Sequence, residues 1–224
     1  MRTAFLEIAC FNVQSAIIGA ENGADRIELC MDKSTEGITP TFQMIQEARG
    51  KIKIPLNIML RPRAGSYIYN SEEFELLKTQ VLEVKKMGVD GLVFGCLEED
   101  GKVHVQQNTQ LVELAHPLPC TFHRAFDEIT DKQSALETLI SCGYKTILTS
   151  AGKKTAWEAA GILHNLITQA KQRIIVMPGG GVRSSHAKEL QVQTGALWLH
   201  SSAITQGGEI AVPEEVRALH TALI

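Results

Sequence analysis

Short runs of β-branched and aliphatic residues alternate along the chain with segments whose apolar positions recur every three or four residues. The first run, 5–10, reads as a strand. Asn12 follows it and can cap a helix that continues through Gly19 to Asn22. The same unit then recurs. Apolar runs at 26–30, 56–61, 91–96, 120–125, 146–150, 173–177 and 196–201 predict further strands. Segments 41–49, 71–87, 105–115, 131–142, 155–170 and 184–194 predict helices, and 213–224 a closing helical tail. Ser71 can cap its helix, with Glu72 and Glu73 in the first turn where the helix dipole favours acids. Asp131 caps another, and Gly143 stops it. The stretches Asn22-Gly23-Ala24-Asp25, Met87-Gly88-Val89-Asp90 and Ser141-Cys142-Gly143-Tyr144 do one job: each ends a helix and enters a strand. Eight such cycles predict an α/β fold, a (β/α)8 TIM-like barrel forming one domain over 1–224. An open doubly wound sheet is the competing fold, but no dinucleotide fingerprint follows the first strand.

In a (β/α)8 barrel the chemistry sits at the C-terminal ends of the strands. Polar residues there form a coherent set: Glu7, Glu28 and Cys30, Arg61 and Arg63, His123, Arg124 and Asp127, Thr149 and Ser150, then His200, Ser201 and Ser202. Side chains alternate across a strand, so Glu28 shares a face with Cys30, and Thr121 with His123. A carboxylate inside a barrel needs a cationic or hydrogen-bonding partner. Arg26, Arg61, Arg63 and Arg124 are the candidates for Glu7 and Glu28. A structural ion-pair layer closing the mouth would use the same residues. The run Pro178-Gly179-Gly180-Gly181-Val182 lies between a strand and a helix, at the usual phosphate-binding position of this fold. The N–H groups of Gly180, Gly181 and Val182, with Ser201 or Ser202 opposite, are the expected anion site.

A net charge of −3 gives no basic footprint for nucleic acid, and no apolar run approaches the ~18 residues of a membrane helix. Glu7 falls where a signal peptide needs apolar residues, so a cytoplasmic location is expected. Five cysteines, Cys10, Cys30, Cys96, Cys120 and Cys142, make an odd count without metal-type close pairs.

The segments 22–30, Gly37-Ile38-Thr39-Pro40, Arg61-Pro62-Arg63, Thr121-Phe122-His123-Arg124-Ala125-Phe126-Asp127, Ile147-Leu148-Thr149-Ser150 and 177–182, in this order, resemble the copper homeostasis protein CutC family. The resemblance implies a TIM-barrel-like fold, a cytoplasmic location and a role in copper handling. In that family two cysteines near the ends of the first two strands are proposed to hold Cu(I). The second position matches Cys30. The first falls on Ala9, with Cys10 one residue later, so Cys10 can join Cys30 only if the strand ends before it. Two further departures stand out. Glu36 occupies the first of two glycine positions before Thr39-Pro40, and Ala64-Gly65-Ser66 replaces Gly-Gly-Asp after Arg63.

Three readings follow. The first is a Cu(I)-binding copper homeostasis protein using Cys30 and Cys10, copper being the one cofactor implied. The second is an enzyme acting on a small phosphorylated or carboxylated metabolite. There His123, oriented by Asp127 or a neighbouring glutamate, moves the proton, Glu7 and Glu28 are further acid/base groups, and Arg61, Arg63 and Arg124 hold the anion. The third is a non-catalytic regulatory barrel. The expected partner is therefore a small anion or copper, not nucleic acid or membrane, and self-association is left open.

Overall fold

The computed structural model describes residues 4–224; residues 1–3, part of the N-terminal stretch read for a targeting signal, lie outside the described residues. Eight parallel strands form one sheet: β1 (Phe5–Cys10), β2 (Arg26–Leu29), β3 (Leu56–Met59), β4 (Gly91–Phe94), β5 (Cys120–Phe122), β6 (Thr146–Thr149), β7 (Ile175–Pro178) and β8 (Trp198–Ser201). The order β7-β6-β5-β4-β3-β2-β1-β8 is that of a (β/α)8 barrel, nearly closed. Backbone hydrogen bonds join every neighbour except β7 and β8, where side chains span the seam. Around the barrel run α1 (Val13–Glu21), α2 (Phe42–Lys51), α3 (Ser71–Lys85), α4 (Val105–Ala115), the short α5 (Ala125–Glu128), α6 (Lys132–Cys142), α7 (Ala160–Ala170), α8 (Ser184–Thr194) and α9 (Pro213–Leu223). Among the described residues no helix is long and apolar enough to cross a membrane.

The caps explain several boundaries. Asn12 accepts from Ser15 N–H at 2.8 Å and Asp131 from Ser134 N–H at 3.0 Å. The cap of α3 is Asn70, not Ser71; Asn70 and Glu73 form a reciprocal capping box. The Asp that ends two of the helix-to-strand turns ties it to the strand beside it. Asp25 accepts from Leu6 N–H and Asp90 from Leu56 N–H, both at 2.8 Å.

Outward strand residues such as Leu6, Ile8, Cys10, Ile27, Leu29 and Ile58 build the apolar layer under the helices. The inward residues differ from the branched aliphatics usual in such barrels. Glu7, Glu28, Asn57, Thr121, Thr146 and His200 are all buried. In register, Glu7 lies opposite Arg26 on β2 and His200 on β8, and Glu28 opposite Asn57 on β3. The interior is thus ionic along β8-β1-β2.

Candidate functional site

A cavity of about 190 Å³ opens at the C-terminal end of the strands. Its floor is the ionic cluster. Glu7 is fully buried and both its oxygens are engaged: Oε2 by Arg26 Nε, and Oε1 by His200 Nδ1 at 2.7 Å. Burial works to raise the Glu7 carboxyl, but Arg26 and then His200 overcome it and hold it at about 2. Arg26 lies 4.1 Å over the Trp198 ring, which stacks on Phe5. His200 Nε2 is left to the cavity.

Glu28 differs. It is 2% exposed, and its Oε2 is buried without a partner. Burial, with the Glu7 charge adding to it, pushes Glu28 up to about 7 against the pull of His200 and Arg26. Burial lowers His200, yet its bond to Glu7 and the charges of Glu28 and Glu7 outweigh this and raise it. One carboxylate is thus firmly ionised, and its neighbour holds a proton close to neutral pH.

His123 forms another part of the wall. Its Nδ1 accepts from Ala125 N–H at 3.3 Å, so the neutral ring carries its proton on Nε2. Burial, and then the Arg61 guanidinium, depress its pKa to about 3. This makes His123 a fixed hydrogen-bond donor rather than a base, and Nε2 has no protein partner. Arg61 lies 4.6 Å over the Tyr67 ring and braces two loops, donating to Thr35 and Gly37 carbonyls (2.7 and 3.2 Å) and to Gly65 O (2.7 Å).

Arg124 and Asp127 work as a unit apart from His123. Asp127 Oδ2 takes Arg124 Nε at 2.8 Å, and its Oδ1 takes the Thr149 hydroxyl and the N–H groups of Ser150 and Gly152 (3.0 and 3.1 Å). The helical turn α5 directs Asp127 to the β6 loop, so it does not orient His123. Arg124 also reaches Glu36 across the mouth at 3.2 Å. Glu36 has a left-handed backbone (φ 64°), the conformation a glycine would adopt without cost. Arg63 does not reach the cavity. Glu73 and the Ser66 and Ile68 carbonyls hold it on the outside of its loop.

At the β7–β8 seam, Gly179 packs so closely that a Cβ would lie 2.4 Å from Leu148 Cδ1 and 3.2 Å from His200 Cδ2. Gly180 (φ 99°) turns the chain beneath the Arg124 guanidinium. Among the described residues the N–H groups of Gly180 and Gly181 meet no protein acceptor. Val182 lies behind this edge, fully buried, and its carbonyl takes the Ser201 hydroxyl and Arg183 Nη1, both at 2.7 Å. Ser201 is thereby committed to closing the seam, while Ser202 lines the cavity. Arg183, Lys33 and Tyr67 also line it and were not singled out from sequence. The position of Arg183 just before a helix, beside the glycine run, was the available signal.

Cys30 faces the cavity, packed with Met59 and Val93. Cys10 faces the other way, in the layer between barrel and helices. Strand β1 runs straight through Cys10, so the one-residue displacement from Ala9 turns its thiol to the opposite face. The copper pair expected from Cys10 and Cys30 is therefore split across the sheet. Burial raises both thiols well above their ordinary range, and the Glu28 charge adds to this.

The CutC family model matches residues 4–205. The chain belongs to the CutC family. The human copper homeostasis protein cutC homolog is 41% identical over 198 residues, covering 88% of this chain and 72% of that protein. A CutC protein of Xylella fastidiosa strain 9a5c is 39% identical over 201 residues, covering 90% and 75%. The crystal structure of a CutC protein from Streptococcus agalactiae superposes with a TM-score of 0.84 at 27% identity, covering 89% of this chain and 98% of that one. Phosphoribosylanthranilate isomerase from Thermotoga maritima shares the fold alone (TM-score 0.67, 10% identity, 98% of each chain). Relatives in the CutC family are thus named for copper homeostasis.

Proposed function

We propose that this CutC barrel binds a small phosphorylated or carboxylated metabolite in its mouth and acts on it there. The observation that carries this reading is one cavity lined by Arg124, Arg183, Lys33 and the unpaired Gly180 and Gly181 N–H groups. Preorganised donors of this kind suit an anionic oxygen group and are poor ligands for Cu(I). His123 Nε2–H offers a further donor to a carbonyl or hydroxyl oxygen. Glu28 is the group placed to exchange a proton near neutral pH. The location that goes with this reading is the cytoplasm, supported by five free cysteines.

Inorganic phosphate should raise the melting temperature saturably and occupy the Gly180–Gly181 corner in soaked crystals. Arg124→Gln should weaken this binding about tenfold, the ~1.4 kcal/mol lost with one charge-assisted hydrogen bond. No stabilisation by millimolar phosphate, or equal stabilisation of the variant, would overturn the reading.

A second reading, copper binding, is favoured by one observation. Cys30 and Met59 bring two soft sulfur donors to the same wall; a Cβ on Gly37 would lie 3.3 Å from Cys30 Sγ and 3.8 Å from Met59 Cε. Copper would then be the cargo. An anaerobic Cu(I) titration against a competing chelator tests it. Cys30→Ser should abolish competitive binding and Met59→Leu weaken it, whereas Cys10→Ser should leave affinity unchanged. If Cys10→Ser is the damaging change, the assignment to this wall is wrong.

A further inference from the structure

We propose that Glu28 and His200 form a binding site for a borderline first-row divalent cation, of the Zn2+ and Co2+ class, on the floor of the mouth cavity. Ligand atoms of Glu7, Glu28 and His200 all lie within 4.8 Å of one another. The three residues are not equivalent. Glu7 has both oxygens occupied, by Arg26 and by His200 Nδ1. Its charge is matched and its part is to hold the imidazole from behind. That bond fixes the tautomer with the proton on Nδ1, which leaves the Nε2 lone pair for a metal. A carboxylate behind a ligating histidine is a recurring arrangement, because it both orients the ring and raises its basicity.

Glu28 supplies the second observation. It is 98% buried by its 2% exposure, lines the cavity, and has an oxygen with no partner. Arg26 is spent on Glu7, and no other cationic side chain bonds Glu28 among the described residues. A buried carboxylate without a bonded counter-charge is costly. A divalent cation between Glu28 and His200 Nε2 would satisfy it. Imidazole and carboxylate donors select Zn2+, Co2+ and Cu2+ over the thiophilic Cu+. With two protein ligands the remaining positions stay open to water and to an anion at the glycine loop, which packs directly on His200 through Gly179. This site is distinct from the sulfur wall of Cys30 and Met59 and does not depend on the metabolite reading.

The test is a titration of the metal-free full chain with Co2+ alone, followed by visible absorbance and calorimetry. One ion per chain should bind and give d–d bands without an intense thiolate charge-transfer band. Glu28→Gln and His200→Gln should each abolish the bands. Glu7→Gln should weaken binding roughly 10–100-fold, the usual effect of losing the group behind a ligating histidine. Cys30→Ser should bind as the parent does. Glu28→Gln keeps the side-chain shape and removes an unpaired buried charge, so its fold is retained; unchanged far-UV circular dichroism verifies this. Absence of binding at millimolar Co2+, full binding by folded Glu28→Gln, or a charge-transfer band that vanishes in Cys30→Ser would each overturn the proposal. Phosphate stabilisation in metal-free protein is measured separately, so failure of the metal site and failure of the anion site are told apart.

Discussion

Replacing Glu7 by alanine is expected to destabilise the fold by about 3–5 kcal/mol, the usual result of removing one partner from a buried ion pair. For a chain of this size that is a fall in melting temperature on the order of 10 °C. The cause is the uncompensated charge left behind. Arg26, only partly exposed and held between Trp198 and Met177, loses its counter-charge, and His200 loses the bond that raises its pKa. The loss should also depend on pH with a definite sign. Glu7 is held at about 2 in the fold and has an ordinary value of 4.5. Its contribution is therefore fully present above pH 4.5 and disappears as pH falls towards 2. The stability difference between parent and Glu7→Ala should narrow over that interval in denaturant titrations. A double variant, Glu7→Met with Arg26→Met, should recover much of the loss, since packed apolar side chains replace buried ion pairs well. If Glu7→Ala melts within about 2 °C of the parent, the cluster does not hold the barrel as described.

The barrel was legible because the pattern of apolar runs and helix-length segments repeats eight times, and every strand was found. The inward placement of Glu7, Glu28, Cys30 and His123 follows from alternation along a strand once its register is known. Three failures have separate physical causes. The strand expected over 120–125 stops at Phe122, because residues 125–128 turn into a helix. That turn gives Asp127 to the β6 loop and leaves His123 without it. The helix expected from 155 begins at Ala160, after a run of turns. Arg63 lies four residues past the end of β3 at Met59, so alternation along the strand no longer governs its direction. His200 is the instructive case. It was placed at the mouth from sequence, yet its role depends on a bond to a residue 193 positions away. Only the closing of β8 against β1 creates that bond, and no local pattern encodes it.

Glu28→Gln should make the protein more stable at alkaline pH and leave it nearly unchanged at pH 4. Glu28 ionises at about 7 in the fold and has an ordinary value of 4.5. Between these values the folded protein binds a proton that the unfolded chain has released. Stability is therefore lost as pH rises from 4.5 through 7, the reverse of the Glu7 case. The gap, at about 1.4 kcal/mol per pH unit, amounts to about 3 kcal/mol once the carboxylate is fully charged. Glutamine has the same shape and no charge to bury. Its advantage should be nearly absent at pH 4, grow from pH 5 through pH 7, and level off near about 3 kcal/mol at pH 8 in guanidinium titrations. A parallel pair of stability curves, with no divergence between pH 4.5 and 7, would show that Glu28 has a counter-charge in the fold. A side chain that costs a fold this much at neutral pH marks a site where stability and function pull in opposite directions. The variant should accordingly combine a more stable barrel with loss of Co2+ binding, because one unpaired carboxylate accounts for both.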